Sequence, residues 1–190
     1  MNNIRRYLGY VTCLLISLAV TAVVAEETGA RRYALPDHGS IQLNVPASWR
    51  DEIRQPPNRL PPTIVFKQRA GKPFDVLMTP IWPPKKDTSP LSAERMRQQV
   101  EQVLEHAKPQ AVEKMIEVRE LRGPVNLGYY FSATDRAPGP GEYKYMTQGM
   151  TRVGDLLVTF TILTNDGQGD IVNDALTMLK SAMHVNNNAA

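Results

Sequence analysis

The stretch from Leu127 to Met183 constrains this chain more than any other. Leu127, Tyr129, Phe131 and Ala133 alternate with Gly128, Tyr130, Ser132 and Thr134, and Leu156, Val158, Phe160 and Ile162 form the most regular apolar face in the sequence. A period of two places successive side chains on opposite faces of a pleated strand. The spacing therefore predicts strands over LGYYFSATD, EYKYMTQGMTRV and DLLVTFTIL. Gly154-Asp155 supplies a tight hairpin between the last two, and RAPGPG (136–141) joins the first two. After a loop at Asn165–Gly169, which Asp166 or Asp170 can end as a helix cap, Ile171, Val172, Ala175, Leu176, Leu179, Ala182 and Met183 recur at helical spacing. Three strands of a meander and a closing helix need further layers to cover their apolar faces.

The upstream chain supplies them. Tyr33–Leu35 and Ile41–Val45 flank the turn Pro36-Asp37-His38-Gly39. Pro46 lacks the N–H that a ladder needs and stops the second strand, so Trp49 is expected at the edge of the core. QPPNRLPP (55–62) is too rich in proline for helix or central strand and reads as a stiff extended loop. Strands follow at Thr63–Gln68 and Phe74–Ile81 around a turn at Arg69–Lys72, and a second proline-rich loop, PIWPPKKDTSP, runs from Pro80 to Pro90. Ser89 as cap and Pro90 in the first turn predict a helix, with Met96, Val100, Val103, Leu104 and Ala107 as its apolar stripe and Pro109 beyond its end. Ile116–Leu121 is a short strand with charged partners, suited to a sheet edge. Strands, helix, meander, helix: the order predicts an α+β fold in which helices pack on an antiparallel sheet.

Residues 1–25 are set apart from that fold. Arg5 and Arg6 precede an apolar run over Leu8–Val24, and Val23 and Ala25 place small residues where a signal peptidase reads them. The pattern predicts a secretory signal peptide cut after Ala25 and a periplasmic or secreted product; an uncleaved leader anchoring the chain in the membrane is the other reading. The expected organisation is a signal peptide at 1–25, a flexible lead-in at 26–34, one domain at 35–184 and a disordered tail at 185–190. Cleavage removes Arg5, Arg6 and Cys13. The full chain holds 22 Lys and Arg against 19 Asp and Glu, so the domain left behind is near neutral and offers no electrostatic argument for nucleic acid. With Cys13 gone it has no thiol for catalysis, disulfides or metal.

Catalytic patterns are sparse. His38, His106 and His184 sit in a turn, on a helix and near the C-terminal end, with no HExxH around them. There is no G-x-S-x-G elbow, P-loop or dinucleotide fingerprint. Asn165–Asp170 resembles half a calcium loop, but Thr177 stands where the distal glutamate belongs. No cofactor, metal or enzymatic activity is expected. Surface recognition remains. The three proline-rich connections carry Arg59, Trp82, Lys85, Lys86 and Arg136. Stiff loops lose little entropy on docking, and Trp and Arg are frequent anchors of interfaces. Proline that merely blunts sheet edges explains the same loops structurally.

Two stretches carry a family resemblance: Gly39–Trp49, a short strand ending in proline with tryptophan three residues on, and Val153–Ile162, a hairpin strand followed by an amphipathic helix. Together they resemble the PsbP-like superfamily, which includes the DcrB-like bacterial envelope proteins. The resemblance spans about Leu35 to Met183. It implies an α/β/α sandwich around an antiparallel sheet and a role in binding, as adaptor or in assembly, with no catalytic motif to transfer. The expectation is thus an exported, non-catalytic binding protein with a protein partner in the cell envelope. A small-ligand or lipid-binding protein, using a pocket between sheet and helix, and a toxin-neutralising immunity protein are the alternatives. Partner identity and oligomeric state are left open.

Overall fold

A computed structural model describes residues 27–57, 60–82 and 91–186. Ten strands, two α-helices and one 3₁₀ turn make up these residues. The α+β expectation holds: both sheets are antiparallel, one of three strands and one of seven.

The chain opens with β1 (Thr28–Ala34) and β2 (Ser40–Pro46), joined by the 36–39 turn and paired in full from Thr28↔Pro46 to Ala34↔Ser40. Asp37 takes a φ of 62° and Gly39 one of 72°. A Cβ at Gly39 would stand 2.2 Å from the Val185 carbonyl oxygen, so no side chain fits there. The expected flexible lead-in is therefore mostly strand: Thr28 and Arg32 are exposed, Arg31 is half-buried against Asp51, and Tyr33 turns into the core. After Pro46 the chain bends out of the small sheet and enters the large one as β3 (Trp49–Arg54), followed by β4 (Thr63–Gln68) and β5 (Asp75–Ile81). Trp49 is fully buried and not at the core edge.

Helix α1 (Ala93–Ala107) starts at Ser92, whose Oγ accepts the Arg95 N–H at 3.2 Å. The start expected at Ser89 and Pro90 lies outside the described residues. Met96, Val100 and Leu104 are buried, whereas Val103, placed in the same stripe by spacing, is 38% exposed. After the 3₁₀ turn at Lys108–Gln110 come β6 (Arg119–Arg122), β7 (Leu127–Thr134), β8 (Tyr145–Val153) and β9 (Leu156–Thr164). The large sheet runs β3-β4-β5-β9-β8-β7-β6, so β6 is an edge, as its charged pattern suggests.

Helix α2 (Gly169–Lys180) follows. Neither aspartate caps it: Gln168 holds the N-cap position without a side-chain bond to the helix, and the Asp166 carboxylate is taken by Lys144 and Tyr145. Met183, expected on the helix, begins β10 (Met183–Val185), which completes the small sheet by pairing with β2. Residue 185 is thus in a strand and not in a tail, and 187–190 lie outside the described residues.

Alternation decides the layering. Phe131, Ala133 and Met150 point to one face of the large sheet, where α1 covers β7 and β8. Ile64, Phe66, Val76, Met78, Val158, Phe160 and Ile162 point to the other, against α2 and the small sheet. The expected sandwich is present with one addition: the second outer layer is a helix together with three strands. Apolar burial on both faces supplies the main stabilisation. Each end of α2 is tied down by one buried amide. At its C-terminal end Asn126 Nδ2 donates to the carbonyls of Ala182 at 2.7 Å, Lys180 at 3.2 Å and Leu179 at 3.4 Å. At its N-terminal end Gln168 accepts the Asn165 N–H at 2.7 Å and donates to the Lys72 and Pro73 carbonyls.

Candidate functional site

Strand register sorts the loops between the two ends of the large sheet. Arg54 pairs with Thr63, so the 55–62 loop leaves the same sheet end as the last residues of β5, where Ile81 pairs with Leu157. Trp82 follows immediately. At the opposite end Tyr145 pairs with both Thr134 and Thr164, and the 136–141 connection closes over it. Seven residue steps of β9, from Leu157 to Thr164, separate the two levels, a span of about 23 Å. Two of the three proline-rich connections therefore leave the sheet at one end and the third at the other. Of the candidate residues, Trp82 and Arg136 are described and lie at opposite ends; Arg59, Lys85 and Lys86 lie outside the described residues.

Trp82 is half-buried. Its inner edge packs on the core, and one face is covered by the His38 ring, stacked with centroids 4.3 Å apart and planes 21° from parallel. The 36–39 turn delivers His38 there because β2 begins at this end. His184 Nε2 lies 2.9 Å from the His38 carbonyl oxygen and braces the turn from β10. Two histidines that look scattered in sequence thus stand in one spot, as supports for an indole. At the same sheet end Leu60, 53% exposed, precedes β4, and Ile81, 36% exposed, ends the adjacent β5 on the face of its partner Leu157, opposite to the core on which Trp82 packs. This end presents apolar side chains on a braced framework.

Arg136 does different work. Its Nη2 donates to the Ala111 carbonyl at 2.8 Å and its backbone N–H to Gln110 at 2.9 Å. The guanidinium clamps the β7–β8 connection onto the segment after α1, so Arg136 is a structural residue.

The Arg136 end also holds a cleft of about 460 Å³ between β7, β8 and the start of α2. Ser132 and Thr147, paired across β7 and β8, share a hydroxyl hydrogen bond of 2.8 Å on its strand wall. Glu113 enters from the segment after α1; Thr134 donates to it through its N–H at 3.0 Å and its hydroxyl at 2.5 Å. Burial pushes the Glu113 carboxyl up, but those two bonds outweigh it and hold the group below the usual glutamate range. At the rim Asp166 accepts from the Tyr145 hydroxyl at 2.6 Å and Lys144 at 2.9 Å, which lowers its pKa and raises that of Lys144. The half calcium loop therefore spends its first carboxylate on a lysine. No group of three or more metal-binding side chains occurs among the described residues.

Buried polar atoms elsewhere carry no site. The Tyr33 hydroxyl and Trp49 Nε1 lack partners among the described residues; burial, with the charge of Asp51 nearby, raises the Tyr33 pKa.

No family model and no curated protein matches this sequence. Among solved structures the chain is similar to cyanobacterial PsbP (CyanoP) from Synechocystis sp. PCC 6803, at 16% identity and a TM-score of 0.43, over 88% of this chain and 99% of that one. A likeness at that level transfers neither residues nor a role.

Sequence reasoning singles out Trp82 by composition but misses His38, 44 positions earlier and detectable only as the turn before a strand. It also misses the cleft. The sole sign of it was that Ser132, Thr134 and Thr147 occupy alternate positions on a face that elsewhere carries Val158, Phe160 and Ile162.

Proposed function

We propose that this chain is an exported, non-catalytic binding or adaptor protein that engages a protein partner in the cell envelope through the Trp82 end of its large sheet. Export rests on the leader pattern at 1–25, and the adaptor role, with membership among the DcrB-like proteins, on the two motif stretches at 39–49 and 153–162. The observation that carries the docking surface is the half-exposed indole of Trp82 stacked on His38, at the sheet end that also carries exposed Leu60 and Ile81. An aromatic ring held by its neighbours loses little freedom on binding, which is how interface anchors concentrate affinity.

The test is capture from an envelope fraction by the purified protein, with wild type, Trp82→Ala, His38→Ala and Arg136→Ala compared. One or more partners should be retained by wild type and Arg136→Ala and weakened by at least about tenfold with Trp82→Ala, the cost of a single hot-spot residue. His38→Ala, which removes the stack but not the indole, should lie between. Urea midpoints of each variant separate binding from stability; Arg136→Ala should cost about 1 kcal/mol of folding free energy, the worth of its lost bond. Equal capture by Trp82→Ala and wild type overturns the assignment.

A further inference from the structure

We propose that the cleft at the Arg136 end binds a neutral polyhydroxylated ligand, a mono- or disaccharide in chemical class, at a site independent of the Trp82 surface.

Size comes first. A volume of about 460 Å³ falls within the roughly 300–1,000 Å³ that small-molecule sites occupy. Its lining then excludes other chemistries in turn. A lipid tail requires continuous apolar walls, and here the walls present Ser132, Thr134, Thr147, Thr164 and Asn173. An anion would meet the Glu113 carboxylate, while Lys144 is engaged with the Asp166 carboxylate and Lys72 with the Asp166 carbonyl. A bound cation would find one carboxylate whose two oxygens already accept from Thr134.

The hydrogen-bonding capacity that remains suits a sugar. Ser132 and Thr147 carry two hydroxyl hydrogens and share one bond, so one donor and several lone pairs stay open to the cleft. The Thr134 hydroxyl spends its hydrogen on Glu113 and keeps its acceptor sites. Each Glu113 oxygen retains a lone pair for a ligand hydroxyl, a charge-assisted bond stronger than a neutral one. Thr164, 3% exposed, adds a hydroxyl-bearing side chain at the cleft's inner side. Between these polar groups Met146 and Val172 provide apolar contact, as the C–H face of a pyranose requires. The framework is rigid: Gln168 ties the loop before α2 to the β4–β5 turn, and Arg136 fixes the segment that carries Glu113. Such a site is built before its ligand arrives, so little binding energy goes into ordering it.

The experiment is an amide-resolved NMR titration of the full chain with three neutral probes, glucose, maltose and N-acetylglucosamine, and two charged ones, glucose 6-phosphate and glucosamine. At millimolar concentration at least one neutral probe should saturate shifts at the amides of Thr134, Thr147, Thr164 and Asn173. Glu113→Gln, with its midpoint of unfolding measured alongside, should weaken that probe by about tenfold, the loss of one charge-assisted bond. No saturable shift with any neutral probe overturns the proposal, as does tighter binding of either charged probe or shifts confined to the Trp82 end. Because the capture experiment reads the opposite end of the sheet, either proposal can fail without the other.

Discussion

The two ends of the seven-stranded sheet share the same strands and differ in everything that projects from them. One end offers apolar side chains: an indole stacked on an imidazole, with Leu60 and Ile81 exposed at the same end. The other offers hydroxyls, amides and a single carboxylate around a cleft. Proline occurs at both, so proline content alone does not mark a docking surface. Its neighbours decide. Arg136 in RAPGPG is spent on the Ala111 carbonyl, whereas Trp82 keeps part of its ring outward.

The sharpest way to break the comparison is to show that the two tryptophans are equivalent. Trp49 is fully buried against Phe66 and Phe74, so Trp49→Ala should cost about 3–5 kcal/mol by urea denaturation. Trp82→Ala, emptying a half-exposed site, should cost well under half of that. Similar losses would make Trp82 a core residue first and an anchor second.

The next largest effect concerns the amides at the ends of α2. Asn126→Ala removes a donor shared by three carbonyls and should lower stability by about 2 kcal/mol, with hydrogen exchange accelerated in the last turn of α2. Gln168→Ala should give a comparable loss localised at the first turn and the β4–β5 hairpin. A loss spread evenly over the protein in both cases would mean that the two ends do not respond separately.

The smallest effect is confined to the cleft end. Glu113 has a folded pKa below its unfolded value, so its contribution is present above the usual glutamate range and fades as pH falls through the folded value. The group is largely solvated, and screening limits the contribution to a few tenths of a kcal/mol. Wild type should therefore lose slightly more stability than Glu113→Gln on acidification from neutral pH. Identical pH profiles would show that the Thr134 bonds do not discriminate the charged form.

Legibility in the sequence follows from how many residues of an element face the core. Strand β9 alternates buried and half-exposed residues along its full length, and its period is plain. Strand β3 buries Trp49 alone and exposes Arg50 to Arg54, so no period marks it; it is held by six pairings to β4 and by Arg31 and Arg69, both of which donate to the Trp49 carbonyl. In β1 only Tyr33 is buried, and β10 has three residues directly after a helix. Both exist because β2 offers a partner on each side, a tertiary fact with no local signal. The sites divide in the same way. An aromatic in a proline-rich loop is visible to composition. A cleft assembled from Glu113, two strands of the meander and the start of α2 requires the fold.

The most direct test of the Trp82 end as the docking surface is site-specific photo-cross-linking in the cell envelope, with the reactive side chain placed at Leu60 or Ile81 at that end and at Ala137 or Pro138 at the other. A discrete higher-mass adduct is expected from positions 60 and 81, abolished by Trp82→Ala, and none from 137 and 138. Adducts from 137 and 138 alone, or equal adducts from both ends that persist in Trp82→Ala, would rule out docking at the Trp82 end.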